Sequence, residues 1–195
     1  MVSDEEKRWL VTGLVLNKVL LPHILSKVEQ DVKTEYNKLV SSHHIDTQPS
    51  AGRLTRHGVF LKYENINGND ARKLSSGKPD YKSFIYHVTS HVDFARLYLQ
   101  PYMAKFSKFD ECDASAVLTL LGSVPVFSAA TKSAADKVKQ NVRNEWAHCD
   151  FSQWTEAFFK NCFTDMDVLV TSLGLANTHK VTSELKDWES KGKLN

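Results

Sequence analysis

Apolar residues recur three or four positions apart through most of this chain, the spacing of helices that bury one face. The first stripe runs through Val11, Leu14, Leu21, Leu25, Val28, Val32 and Leu39, with Lys18 interrupting it. Ser3, followed by Asp4, Glu5 and Glu6, marks the start of that helix: a hydroxyl can cap the first turn, and acids suit the positive end of the dipole. Pro22 lacks a backbone donor, so a bend is expected near it.

From residue 40 to 80 the periodicity dissolves into Ser, Asn, Gly and Pro, with turn signals at Pro49-Ser50-Ala51-Gly52 and Asn67-Gly68-Asn69. A long irregular insertion is expected there, with a short ordered piece at Val59 to Tyr63. Helical spacing returns at Phe84, Val88, Val92, Ala95 and Leu99 and stops near Pro101. Asp113 caps a helix of Ala114 to Leu121, which Gly122 and Pro125 end. Phe127, Ala130, Ala134, Val138, Val142 and Trp146 mark the next. Ser152 is expected to cap another, bearing Trp154, Phe158, Cys162, Leu169 and Leu173 before Gly174, and widened by Phe159, Phe163 and Val170. Thr178 to Lys191 forms the last helix, with Val181, Leu185 and Trp188 on one side. No period-two run suggests a strand. The reading is all-α: an up-and-down helical bundle of about five to seven helices in a single domain, 1–195, interrupted by the basic loop region 40–80.

Composition adds limits. A chain of 195 residues that is 42% hydrophobic can bury a sizeable core, and a net charge of +2 is too small to identify a nucleic-acid binder by itself. Three cysteines without a C-x-x-C pair read as free thiols of a reducing compartment. The acids at the start do not suit a secretory leader, and Asn17 and Lys18 break the apolar run behind them, so no membrane span is expected. A cytoplasmic or nuclear protein is the expectation.

Basic residues concentrate between Gly52 and Lys82, where Arg53, Arg56, Lys62, Arg72, Lys73, Lys78 and Lys82 face only Glu64, Asp70 and Asp80. Tyr63 and Tyr81 add stacking faces, giving an RNA groove as one reading and a solvated loop as the plainer one. Candidate RNA contacts are Arg53, Arg56 and Lys62, with Lys139 on the late helix. The densest chemistry is Arg143-Asn144-Glu145-Trp146-Ala147-His148. Arginine presents a planar donor fork that suits phosphate, and histidine exchanges protons near neutrality. Five helical steps turn through roughly 500°, leaving Arg143 and His148 about 140° apart, whereas Asn144 and His148 share a face. A break at Cys149-Asp150-Phe151-Ser152, or a second copy related by a two-fold axis, would be needed to bring both to one phosphate. Other clusters offer less. His87 and His91 lie four apart on an expected helix without a third metal ligand, the adjacent His43 and His44 diverge, and Cys149 beside His148 does not face it.

The run Arg-Asn-x-x-x-His at a late helix end resembles the Arg-x(4 to 6)-His signature of the HEPN superfamily. Val142 to His148, followed by Phe151, Trp154 and the helix end Leu169 to Leu175, is similar to the HEPN domain of an RNA-binding RING ubiquitin ligase and its invertebrate relatives. The likeness extends over Phe106 to Leu175, including the helix after Asp113 with Leu118, Leu120 and Leu121. It departs where those relatives carry Gly-Trp-Asp, since Gly122-Ser123-Val124-Pro125 stands here. The resemblance implies a helical bundle that dimerises with motif helices facing each other. It also implies either metal-independent RNA cleavage or binding of RNA, nucleotide or protein partners without cleavage. Arg143, Asn144 and His148 would be the catalytic group, with no metal and no cofactor. A wholly structural role, with Arg143 paired to Glu145 or Asp150 in a buried dimer network, is the third reading.

Overall fold

The computed structural model describes residues 2–54 and 60–192. It is all-α, with no strand among the described residues, and the chain divides into two compact units. The first comprises residues 1–28, 113–122 and 127–195; the second comprises 29–112 and 123–126.

The first unit is a helical bundle. Its opening helix α1, Asp4–Leu14, carries the full capping box: Glu6 N–H donates to Ser3 Oγ at 3.2 Å and Ser3 N–H to Glu6 Oε2 at 2.7 Å. The helix continues through a π segment, Val15–Leu20, into α2, Leu21–His43. This locates the accommodation of Pro22. Proline withholds a donor and crowds the carbonyl four residues back, and the wider turn lies immediately before it, with Leu21 N–H reaching Leu16 O. By length and composition, Asp4–His43 contains a stretch apolar enough to cross a membrane, because Asn17 and Lys18 interrupt it less than their charge and polarity suggest. Yet Val15, Leu16, Val19, Leu20 and Ile24 are at most 3% exposed, as in the core helix of a bundle.

Helix α4, Ala114–Ser123, starts where Asp113 Oδ1 accepts from Ala116 N–H at 2.8 Å. Helix α5, Ala129–Lys137, is capped by Ser128 and passes through a second π segment, Val138–Asn144, into the short α6, Glu145–His148. The cap of α7, Glu156–Leu173, is Thr155 rather than Ser152. Asp150 instead claims both the hydroxyl and the amide of Ser152, forming a separate 3-10 turn at Phe151–Gln153. Trp154 therefore precedes α7, where it is completely buried. Gly174, in the left-handed region at φ 58°, ends α7, and α8, Thr178–Gly192, packs against it.

The second unit holds the rest of α2, one short helix and irregular chain. Its helix α3 spans only His91–Arg96, so the expected helix from Phe84 is corrected: Phe84 to Thr89 is not helical, and its burial alternates as in an extended chain. Aromatic and β-branched side chains favour that conformation, and Ser90 starts the helix by accepting from Asp93 N–H. Phe84 and Val88 are buried whereas Ile85, His87 and Thr89 are exposed, the alternation of a strand that lacks a neighbouring strand. Side-chain amides take the neighbour's place. Asn69 Nδ2 and Asn67 Nδ2 donate to Ile85 O at 2.9 and 3.0 Å, Asn67 Nδ2 to His87 O, and Gln48 Nε2 to Tyr86 O. Asn69 Oδ1 accepts from Ile85 N–H at 2.9 Å. The described part of the expected Val59 to Tyr63 piece leads into a 3-10 turn at Tyr63–Asn65; Val59 itself lies outside the described residues.

Candidate functional site

The Arg143-Asn144-His148 group lies at the end of the α5–α6 helix, and aromatic packing fixes that end. The Trp146 ring is stacked on Trp9 of α1 with centroids 5.9 Å apart, and Trp9 Nε1 donates to Trp146 O at 2.8 Å. Phe151 meets Trp9 edge-on at 5.3 Å. Gly13 makes the approach feasible: a Cβ there would collide with the Trp146 indole nitrogen. Trp146, which sequence reading treated as one more apolar position, is thus the anchor of the motif. A Trp9–Gly13 pair four residues apart on α1 is the sequence signal for it, visible only once its partner is known.

Around this anchor the polar groups separate. Arg143 and Asn144 are half-buried at the end of the π segment, where Arg143 Nη1 donates to Asn144 Oδ1 at 3.2 Å. His148 is the last residue of α6 and is exposed; Cys149, at φ 55°, turns the chain out of the helix. The expected break is present and follows His148. Because the π geometry stops at Asn144, the four steps from there to His148 are α-helical and turn roughly 400°, so Asn144 and His148 share a face about 40° apart. The π segment itself departs from regular winding beneath Arg143, a feature common at functional sites.

Neither acid proposed as a structural partner pairs with Arg143. Asp150 accepts from Ser152 Oγ at 2.7 Å, from Gln153 Nε2 at 3.0 Å and from Ser152 N–H, which together hold its carboxyl below the ordinary range. Among the described residues no ion pair joins Arg143 to Glu145 or Asp150, and His148 makes no side-chain hydrogen bond.

The remaining candidates are dispersed. Lys139 lies on the same helix as Arg143, but its Nζ donates to Thr119 Oγ1 at 2.9 Å, which ties it to α4. Lys62 belongs to the second unit, where its ammonium lies 5.9 Å from the centre of the exposed Phe60 ring. Arg53 ends a 3-10 turn, Ala51–Arg53, and its side chain, like Arg56, lies outside the described residues. His87 and His91 do not share a helix: His87 is on the extended segment, whereas His91 opens α3, with its Nε2 3.3 Å from Glu29 and its ring stacked on Phe109. His43 ends α2 and His44 leaves it at φ 49°. Among the described residues no group of three or more His, Cys, Asp or Glu is arranged to hold a metal.

Cys162, on α7, lies behind the motif helix. Its thiol donates to Asn141 O at 3.6 Å, and burial, with Asp165 and Glu145 adding negative charge, pushes it up to about 12. It is a packing residue; Cys149, by contrast, is exposed. No family model, curated protein or solved structure matches the chain.

Proposed function

We propose that this chain is a HEPN-type RNA-binding domain, cytoplasmic and homodimeric, with metal-independent endoribonuclease activity at the Arg143-Asn144-His148 helix end. What supports the reading most is that the motif's charge is unspent. Among the described residues Arg143 has the neutral Asn144 amide as its one side-chain partner, and the exposed His148 makes no side-chain hydrogen bond. A cation kept for architecture would be expected to engage an acid, and Glu145 and Asp150 lie within seven residues of it in sequence yet do not pair with it. The Trp146–Gly13 anchor meanwhile holds the helix end in place, as a site that must meet a phosphate requires.

In this mechanism the RNA 2′-oxygen attacks the adjacent phosphorus and the bond to the 5′-oxygen breaks, leaving a 2′,3′-cyclic phosphate and a 5′-hydroxyl. One His148 takes the 2′-hydroxyl proton and the His148 of a second copy protonates the leaving oxygen. Arg143 keeps Nε and Nη2 for the phosphorane oxygens, and Asn144 fixes the guanidinium through its carbonyl. The second copy is required because one helix holds Arg143 and His148 well apart around its axis.

That same separation favours a second reading, in which the helix end binds RNA, a nucleotide or a protein partner without cleaving, as a module of a larger signalling or ubiquitin-ligase protein. The nuclease reading, and the second reading where its ligand is RNA, predict that Arg143→Ala weakens binding of a labelled single-stranded RNA about tenfold and lowers the salt slope by about one phosphate contact. Unchanged affinity and slope would remove Arg143, and the phosphate reading with it.

A further inference from the structure

The second unit contains a cleft of about 420 Å³, within the usual size range for a small-molecule site and lined wholly by residues of that unit. A tight hairpin bounds it. Asp80 N–H donates to Arg72 O and Leu74 N–H to Lys78 O, each at 2.9 Å, which places Arg72 and Lys73 at its wall. Arg96, from the last turn of α3, and Lys105 complete a set of four cations, against which the lining offers only Glu64 and Asp70.

Those cations are held in position but largely unneutralised. Arg72 Nη1 donates to Ser83 O at 2.8 Å and Arg96 Nε to Ala104 O at 2.9 Å, so each guanidinium is pinned by one edge. Among the described residues Arg96 is the one of the four with an ion pair, to Asp93 at 3.6 Å. Arg72 Nε is buried and has no acceptor. A buried donor left open in a cationic cleft calls for an acceptor from outside the chain. Phe84, Pro79 and Pro101 supply an apolar wall beside it.

We infer that this cleft binds a small phosphomonoester with a compact apolar body, the phosphate meeting Arg72 and Arg96 with Lys73 and Lys105 at the rim, and the body lying against the exposed Pro79 and Pro101. Two guanidiniums and two ammoniums exceed what a single carboxylate can use, whereas a phosphate dianion presents three acceptor oxygens to planar donor forks. An RNA strand is a poorer fit. Strand binding uses a long groove with outward stacking faces, and here the one aromatic ring of the lining, Phe84, is only 7% exposed.

The test is calorimetric titration of the full chain with phenyl phosphate, inorganic phosphate and phenol. Saturable binding is expected for phenyl phosphate, weaker binding for inorganic phosphate and none for phenol. Arg72→Gln, which removes the charge and the open donor, is expected to lower phenyl phosphate affinity about tenfold or more. Lys73 and Lys105 are exposed, so Lys73→Glu combined with Lys105→Glu is expected to lower affinity about tenfold with thermal melting unchanged. That pair decides the matter if Arg72→Gln does not fold. Absence of saturable phenyl phosphate binding at millimolar ligand overturns the inference, as does full affinity in the lysine pair. Displacement of phenyl phosphate by an RNA oligonucleotide without terminal phosphates also overturns it, since the cleft would then belong to a strand-binding surface.

Discussion

In the first unit the chain is ordered by apolar stripes: α7 alone buries Phe159, Cys162, Phe163, Met166, Leu169, Val170 and Leu173. In the second, the segment Phe84–Thr89 is held mainly by three side-chain amides, Gln48, Asn67 and Asn69, with Val88 N–H to Ile45 O as a backbone bond beside them. The two solutions answer one requirement, since every buried backbone group needs a partner and every fold needs buried apolar area. They differ in how they tolerate change. Apolar packing loses stability in proportion to the atoms removed, whereas an amide serving several backbone groups fails at once, leaving each of them desolvated.

Substitutions can break that contrast. Trp154→Ala, which empties a completely buried site, is expected to cost about 3–5 kcal/mol by urea unfolding. Asn69→Ala removes one small side chain but leaves Ile85 N–H without its partner and takes one of two donors from each of Tyr63 O and Ile85 O. It is expected to cost about 2–4 kcal/mol, far beyond its volume. A loss below about 1 kcal/mol would mean that water replaces the clamp and that the contrast is false. Gly13→Ala drives a methyl into the Trp146 ring and is expected to cost about 1–3 kcal/mol while altering Trp fluorescence.

Alkali provides a finer probe. Burial raises the Cys162 thiol in the first unit and the Tyr63 phenol in the second, each to about 12, the latter despite its hydrogen bond from Gln48. The folded state keeps both groups protonated at a pH where the unfolded chain, with ordinary values of 9.0 and 10.0, has released them. Stability is therefore expected to fall as pH rises from about 9 toward 12, and Cys162→Ala and Tyr63→Phe should each flatten part of that slope. Thiol labelling at neutral pH should likewise modify Cys149 fast and Cys162 only on unfolding.

Helix positions were legible because their period and caps are local. Ser3 with Glu6, Asp113 and Gly174 all act where the sequence places them. Phe84 to Leu99 misled because its apolar residues also fit a helix, and the side-chain donors that hold Phe84–Thr89 come from 16 to 38 residues upstream. Ser152 misled because Asp150, two residues before it, accepts from both its hydroxyl and its amide, so that hydroxyl does not cap α7. At the candidate site the Arg-Asn-His spacing could be read directly. The Gly13–Trp146 anchor and the conversion of Arg72, Lys73, Arg96 and Lys105 into one cleft could not, since each depends on contacts between segments distant in sequence.

The most direct measurement is incubation of a labelled single-stranded RNA with wild type and His148→Ala in chelator, with products resolved by end group. Because His148 is exposed and its side chain unbonded, the variant should melt like wild type. The proposed mechanism predicts 2′,3′-cyclic phosphate ends from wild type, with the rate reduced by about 10² or more in the variant. Cleavage that survives His148→Ala, or that stops in chelator, would contradict it, and retained RNA without cleavage would leave the helix end as a binding site alone.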